Sequence, residues 1–359
     1  MSELNNTHKV LMKGNEALAE AAIQAGCKHF FGYPITPQTE VAAYMAKKLP
    51  KIGGVFLQAE SEIAAINMVL GAASAGVRAM TSSSSPGISL KSEGISYIAG
   101  SDLPCLIINV QRGGPGLGGI QPSQSDYWQA TKALGHGDFH VLVLAPSTVQ
   151  EMVDLVFKAF NLADTYRMPA MILADGMLGQ MMEPVAITKP VAQELPEKTW
   201  ATTGHHNKRS HNIVNSLHLI TAELEQTNFE RFERYDKIKA KEQLSESLYT
   251  EDAELIVVAY GAASRIVKSA VKSAREKGLK VGIIRPITLW PFPVEVLKQA
   301  AKTTKAFLAV EMSMGQMVDD VRLAIECSKP VHFYGRTGGM IPTPDAVLEN
   351  IEKIMGGEK

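Results

Sequence analysis

Cysteine is scarce in this chain: Cys27, Cys105 and Cys327 are spread over 359 residues with no CxxC spacing. That excludes a disulfide framework and an iron–sulfur cluster held by this chain alone, which takes about four thiolates. Three buried, reduced thiols are expected. A charge surplus is missing too. Lys plus Arg number 36 against 37 Asp plus Glu, for a formal net charge of −1. Without a basic block there is nothing to neutralise a phosphate backbone, so nucleic acid is not expected as a partner. No apolar run approaches the roughly 20 residues that cross a bilayer. The opening MSELNNTHKVLMKG has no basic segment leading into an apolar one. A cytoplasmic protein with no membrane partner is the expectation.

Several motifs are also absent. RGGPGLGG lacks the Lys-Ser/Thr of a phosphate-cradling loop, and no Gly-x-Ser-x-Gly elbow occurs. His205, His206 and His211 lack the helical spacing and the carboxylate of a zinc site. No metal is expected on this chain.

What is present is an ordinary globular mixture, 45% hydrophobic and 20% charged, long enough for two cores. From Gly14 to about Asp175, continuous apolar stretches such as KHFFGY, GVFLQ, VRAMTS, PCLIINVQ and PAMILAD alternate with helical patterns such as NEALAEAAIQAG and ESEIAAINMVLGAASAG. Such strands predict a parallel sheet with helices on both faces. Ser85 and Pro86 read as N-cap and first residue of a helix running to about Ala99. Residues 186–251, with the charged ELEQTNFERFERYDKIKAKEQL, read as a linking segment carrying one or two solvated helices. The rhythm resumes over 252–359 with AELIVVAYG, KVGIIRPI, KAFLAVEM and KPVHFYG, a second and smaller α/β domain.

Ligands of open α/β sheets bind outside the carboxyl ends of the strands. Polar residues recur there: Tyr33 to Thr36, Gln58 to Glu62, Ser82 to Ser85, and Arg112 leading into GGPGLGGIQPSQSD. Pro34 and Pro37 confine Tyr33 and Thr36, which suits either a plain strand-to-helix turn or a hydroxyl held in place. Arg112 can grip a carboxylate through parallel hydrogen bonds or close a salt bridge. Glu60 and Glu62 open a helix, either for the dipole alone or as a buried acid that exchanges a proton with a cofactor.

In this order, GYPITPQTE, QAESEIAAINMVLGAASAGVRAMTSSSSPGISL and VQRGGPGLGGIQPSQSD, with VVAYGAASRIVKSAV and VGIIRPITLWPFP further on, resemble the alpha subunits of 2-oxoacid:ferredoxin oxidoreductases. The wording is nearest to those acting on 3-methyl-2-oxobutanoate, with the 2-oxoglutarate enzymes next. The resemblance implies a thiamine diphosphate pyrimidine-binding domain over 1–185, the link 186–251, and a transketolase C-terminal-like α/β domain over 252–359. It implies that Glu62 meets the aminopyrimidine of thiamine diphosphate, that Thr36 hydrogen-bonds the 2-oxoacid and that Arg112 neutralises its carboxylate. It further implies oxidative decarboxylation to an acyl-CoA and CO2. Coenzyme A would be the co-substrate and ferredoxin the electron acceptor. A beta subunit would supply the diphosphate site, Mg2+ and a [4Fe-4S] cluster, and gamma and ferredoxin-like delta subunits would complete the complex. ADGM at Asp175 is similar to the start of a thiamine magnesium motif, but the downstream asparagine is missing, so Asp175 reads as a strand-end turn. Other readings are a 2-oxoglutarate synthase alpha subunit, a lipoamide-linked dehydrogenase or transketolase half, and a non-catalytic scaffold subunit.

Overall fold

The computed structural model describes residues 9–188 and 194–356. The opening MSELNNTH, residues 189–193 and residues 357–359 lie outside the described residues. The chain begins with β1 (Val10–Lys13), α1 (Gly14–Gln24), β2 (His29–Gly32) and α2 (Thr39–Lys48). A 3-10 turn, β3 (Val55–Gln58), α3 (Glu62–Ser74), β4 (Ala79–Ser83), α4 (Pro86–Gly100) and β5 (Cys105–Gln111) follow. Next come α5 (Tyr127–Thr131), β6 (Leu142–Leu144), α6 (Val149–Tyr166), β7 (Pro169–Asp175), α7 (Gly176–Gln180) and β8 (Met182–Val185). After α8 (Thr221–Lys241) and β9 (Ser245–Leu248) stand β10 (Leu255–Val258), α9 (Gly261–Glu276), β11 (Val281–Pro286) and β12 (Thr288–Trp290). The last elements are α10 (Val294–Ala301), β13 (Ala306–Glu311), α11 (Met317–Ala324), β14 (Val331–Gly335) and α12 (Pro344–Gly356).

Two larger sheets result, ordered β12-β6-β7-β5-β4-β2-β3 and β14-β13-β10-β11-β9, beside a small β1-β8 pair. In the first, β3, β2, β4, β5, β7 and β6 run parallel. Its central strands β5 and β7 are buried at every residue, as continuous apolar runs under helices on both faces require. The units are stitched together. Strand β12 leaves the second unit and pairs antiparallel with β6 at the edge of the first sheet. Strand β9, from within the 186–251 segment, pairs antiparallel with β11 as the edge of the second. Among the described residues no helix is long and apolar enough to cross a membrane.

Two local expectations need correction. Cys27 and Cys105 are buried but Cys327 is exposed, because it follows the end of α11 in a turn with a left-handed backbone. Pro86 does open α4, yet the Ser85 hydroxyl does not cap it. Ser85 has φ 26° and ψ −83°, a strained backbone that turns its hydroxyl toward β5 and the loop beyond.

Candidate active site

The candidate site residues follow the carboxyl ends of β2, β3, β4 and β5, and the loop after β2 is tied down by several hydrogen bonds. Asn15 donates its amide to the Pro37 carbonyl at 2.8 Å and to Glu40 Oε2 at 2.9 Å. Gln38, fully buried, donates to the Tyr33 carbonyl at 3.3 Å and accepts from the Ser82 hydroxyl at 2.5 Å. Prolines limit the loop's own freedom, and these bonds lock it to β4 and α1. Thr36 stands exposed at its tip.

Glu62 is the first residue of α3. Ser61, extended at φ −158°, accepts from the Ala64 N–H at 3.1 Å and caps the helix, a contact worth about 1 kcal/mol. The carboxylate thus sits at the positive end of a helix dipole while being only 6% exposed. Glu60 lies outside the helix and is exposed. Gly87 is what lets Glu62 in. A Cβ at Gly87 would collide with Ser83 Oγ and lie 2.8 Å from Glu62 Oε1, so the start of α4 comes against the carboxyl only because that residue has no side chain.

Arg112 follows β5 and is 7% exposed. Its guanidinium donates to the Thr36 carbonyl at 3.0 Å and to the Leu117 carbonyl at 3.1 Å. A guanidinium has five N–H groups, so Nε, buried and unpartnered, and one N–H on each terminal nitrogen remain for an anion. Arg112 is itself held. Its main-chain N–H donates to Ser85 Oγ at 3.1 Å, and the Ser85 hydroxyl donates to Asp126 Oδ2 at 2.6 Å. Asn109 adds a bond to the same oxygen at 2.9 Å. Burial pushes the Asp126 carboxyl above its ordinary value, against the hydrogen bonds of Ser85 and Asn109 and the charge of Arg112. This cluster edges a cavity of about 710 Å3 bordered also by Gly113, Gly116 and Gln316.

Of the expected site residues, then, Thr36 and Arg112 are in direct contact. Glu62 joins them through the Ser83–Gly87 turn, whose Ser85 holds Arg112. Asp175 caps α7, accepting from the Met177 and Leu178 N–H groups at 2.9 and 3.2 Å. Among the described residues no group of three or more His, Cys, Asp or Glu could hold a metal ion. Sequence reasoning passed over Gln38 and Asp126, although both lie in the stretches that drew attention. Their roles depend on contacts with residues 44 and 41 positions away.

Residues 20–250 match the family described as pyruvate flavodoxin/ferredoxin oxidoreductase, thiamine diphosphate-binding, and residues 253–347 match pyruvate:ferredoxin oxidoreductase core domain II. The chain is 47% identical to ketoisovalerate oxidoreductase subunit VorB of Methanothermobacter thermautotrophicus, over 96% of this chain and 98% of that protein. It is 38% identical to 2-oxoglutarate synthase subunit KorA of Methanothermobacter marburgensis, over 98% of this chain and 99% of that one. Among solved structures it resembles the 2-oxoglutarate:ferredoxin oxidoreductase of Magnetococcus marinus with 2-oxoglutarate, coenzyme A and succinyl-CoA bound. There the TM-score is 0.86 and the identity 29%, covering 97% of this chain and 66% of that one.

Proposed function

The chain belongs to the pyruvate flavodoxin/ferredoxin oxidoreductase family, and we propose that it is the alpha subunit of a complex that oxidatively decarboxylates 3-methyl-2-oxobutanoate to an acyl-CoA and CO2. Ferredoxin is the acceptor. Thiamine diphosphate, when bound, supplies the nucleophilic carbon for the keto group and the electron sink for decarboxylation. The corner at Glu62 fits its aminopyrimidine end. A buried carboxyl faces a glycine cradle, and the buried Ser83 and Ser84 hydroxyls beside it lack partners. Glu62 holds and returns the proton of the pyrimidine ring nitrogen. Thr36 donates its hydroxyl to the oxoacid, and Arg112 takes the acid's carboxylate with its remaining N–H groups. A beta subunit bears the diphosphate, Mg2+ and a [4Fe-4S] cluster. Gamma and ferredoxin-like delta subunits pass electrons onward; that the chain works with partner subunits is supported by relatives that are themselves subunits.

The choice of oxoacid rests on the cavity of about 690 Å3 that Thr36 lines. Ile120, Pro122, Met177, Met181 and Ile341 form its apolar wall, and Glu40 is its one charged lining residue. Burial pushes the Glu40 carboxyl up, but hydrogen bonds from Asn15, Gln180 and Lys13 outweigh that and hold it below its ordinary value. An isopropyl group gains about 2 kcal/mol against such a wall. The second carboxylate of 2-oxoglutarate would meet an anion.

In the purified complex, kcat/KM for 3-methyl-2-oxobutanoate is expected to exceed that for 2-oxoglutarate by about tenfold or more. Thr36→Val should lower kcat/KM for the oxoacid by about 10- to 100-fold while thiamine diphosphate retention holds. Preference for 2-oxoglutarate would transfer the assignment to the synthase reading. Failure to reduce ferredoxin with any 2-oxoacid would leave a scaffold.

A further inference from the structure

Lys91 is fully enclosed on the inner face of α4. Its Nζ donates to the main-chain carbonyl of Glu62 at 3.4 Å, a long bond for a group with three donors. The approach of α4 to α3 that places it there is itself close. A Cβ on Gly94, in the same helix, would meet Ile66 Cγ1 at 3.1 Å. An apolar side chain would fill this position without removing an ammonium from water, so the fold gains nothing from the charge as such.

The charges around it narrow the possible partners. Glu62 is the only ionisable residue on α3, and β4 has none. On α4 itself, Glu93 is engaged with the Tyr97 hydroxyl at the surface. At the N-terminus of α4, Asp126 is satisfied by Ser85 and Asn109. From the sheet, burial pushes the Cys105 thiol up to about 12, which leaves it neutral, while Asp175 is bound by its own helix cap and His29 lies at the far end of β2. Burial draws Lys91 down to about 8, and the negative charge of Glu62 is what opposes that fall.

We infer that Lys91 is a positioning residue for Glu62: its enclosed ammonium, bonded to the Glu62 main-chain carbonyl, sets a buried positive charge beside the residue proposed to exchange the aminopyrimidine proton. The inference rests on the reading of Glu62 given above. Lys91, fully enclosed, is open to neither oxoacid nor cofactor. It acts through the carboxylate, and its influence fades as the solution becomes alkaline enough to discharge it.

The test uses the assembled complex loaded with thiamine diphosphate and follows the near-ultraviolet circular dichroism of the bound cofactor, which reports pyrimidine protonation, as a function of pH. In Lys91→Met the acid-side transition of that signal should move up by about one pH unit, with kcat reduced about tenfold. Lys91→Arg, charged throughout, should restore the acid-side transition and remove an alkaline limb near pH 8 from the wild-type profile. An unmoved transition in Lys91→Met, with only the melting temperature altered, would overturn the proposal and leave Lys91 as packing. If the arginine variant does not assemble, the methionine transition decides alone. Glu62→Gln separates the two readings: a wild-type signal and turnover in that variant would refute the role of Glu62, whereas an altered signal there with an unmoved Lys91→Met refutes only the role of Lys91.

Discussion

The seam between the two α/β units and the strand-end edge around Glu62 are both polar and both largely buried, yet they close their hydrogen bonds differently. At the seam Arg285, 2% exposed, holds both oxygens of Glu151 at 2.9 and 2.7 Å and Glu246 at 2.7 Å. Glu246 also takes Lys268, and Glu151 takes the N–H and hydroxyl of Ser147. Glu311 accepts three backbone N–H groups at the start of α11, and Gln124 ties β5's loop to Tyr260 and Met312 across the units. At the edge, by contrast, Thr81, Ser83 and Ser84 hydroxyls and Arg112 Nε are buried without partners. An unmet buried polar group costs about 1–3 kcal/mol. Polarity completed within the chain marks a structural joint; the unmet hydroxyls of Ser83 and Ser84 and Arg112 Nε gather instead at the edge proposed to take the cofactor and oxoacid.

That contrast can be broken in order of expected effect. Glu62→Ala should cut turnover by about 10^3-fold or more while the complex still assembles, since it removes the proposed proton carrier without touching the seam; near-normal turnover in the reconstituted complex would erase the distinction. Arg285→Ala should do the converse. It removes the cation that Glu151 and Glu246 share, leaving them Ser147 and Lys268, and is expected to cost about 2–3 kcal/mol in denaturant unfolding, with activity per folded complex unchanged. Loss of activity at full stability would place the seam in the catalytic machinery. The smallest effect belongs to Asp175, which lies between the two regions. Burial pushes its carboxyl up to about 6, against the N–H groups of Leu178, Met177 and Ala262. From the unfolded value of about 3.9 up to 6 the folded chain therefore holds a proton that the unfolded chain has lost, so this residue's contribution to stability falls as pH rises through that window. Asp175→Asn, which can still cap α7, should gain about 1–2 kcal/mol at pH 7.5 and almost nothing at pH 4. Urea unfolding at the two pH values would show it, and a gain confined to the acid side would contradict the assignment.

The parallel core was legible because β5 and β7 are uninterrupted apolar runs, and the strand-end rule then led to Thr36 and Arg112 before any contact was visible. What was not legible depends on long-range geometry. Ser85 followed by Pro86 has the local form of a helix cap, and only the approach of Asp126 and Asn109 explains why its hydroxyl points elsewhere. Lys91 sits in ISLKSEGIS, where a lysine on a helix reads as solvated; only the depth of α4 against α3 encloses it. Strand β9 follows a charged helix and reads as part of a link, because an edge strand lacks the apolar continuity of a central one.

The exchange of edge strands has a consequence for how the chain can be divided. Although its two sheets look like separate modules, cutting at residue 251 would send β12, the outer rim of the first sheet, away with the second fragment, and keep β9, the rim of the second, with the first. Each piece would expose an open strand edge, the kind that recruits another chain. The fragments are thus suited to be halves of a complementation pair, recovering a whole enzyme subunit only when each returns the strand that the other lacks.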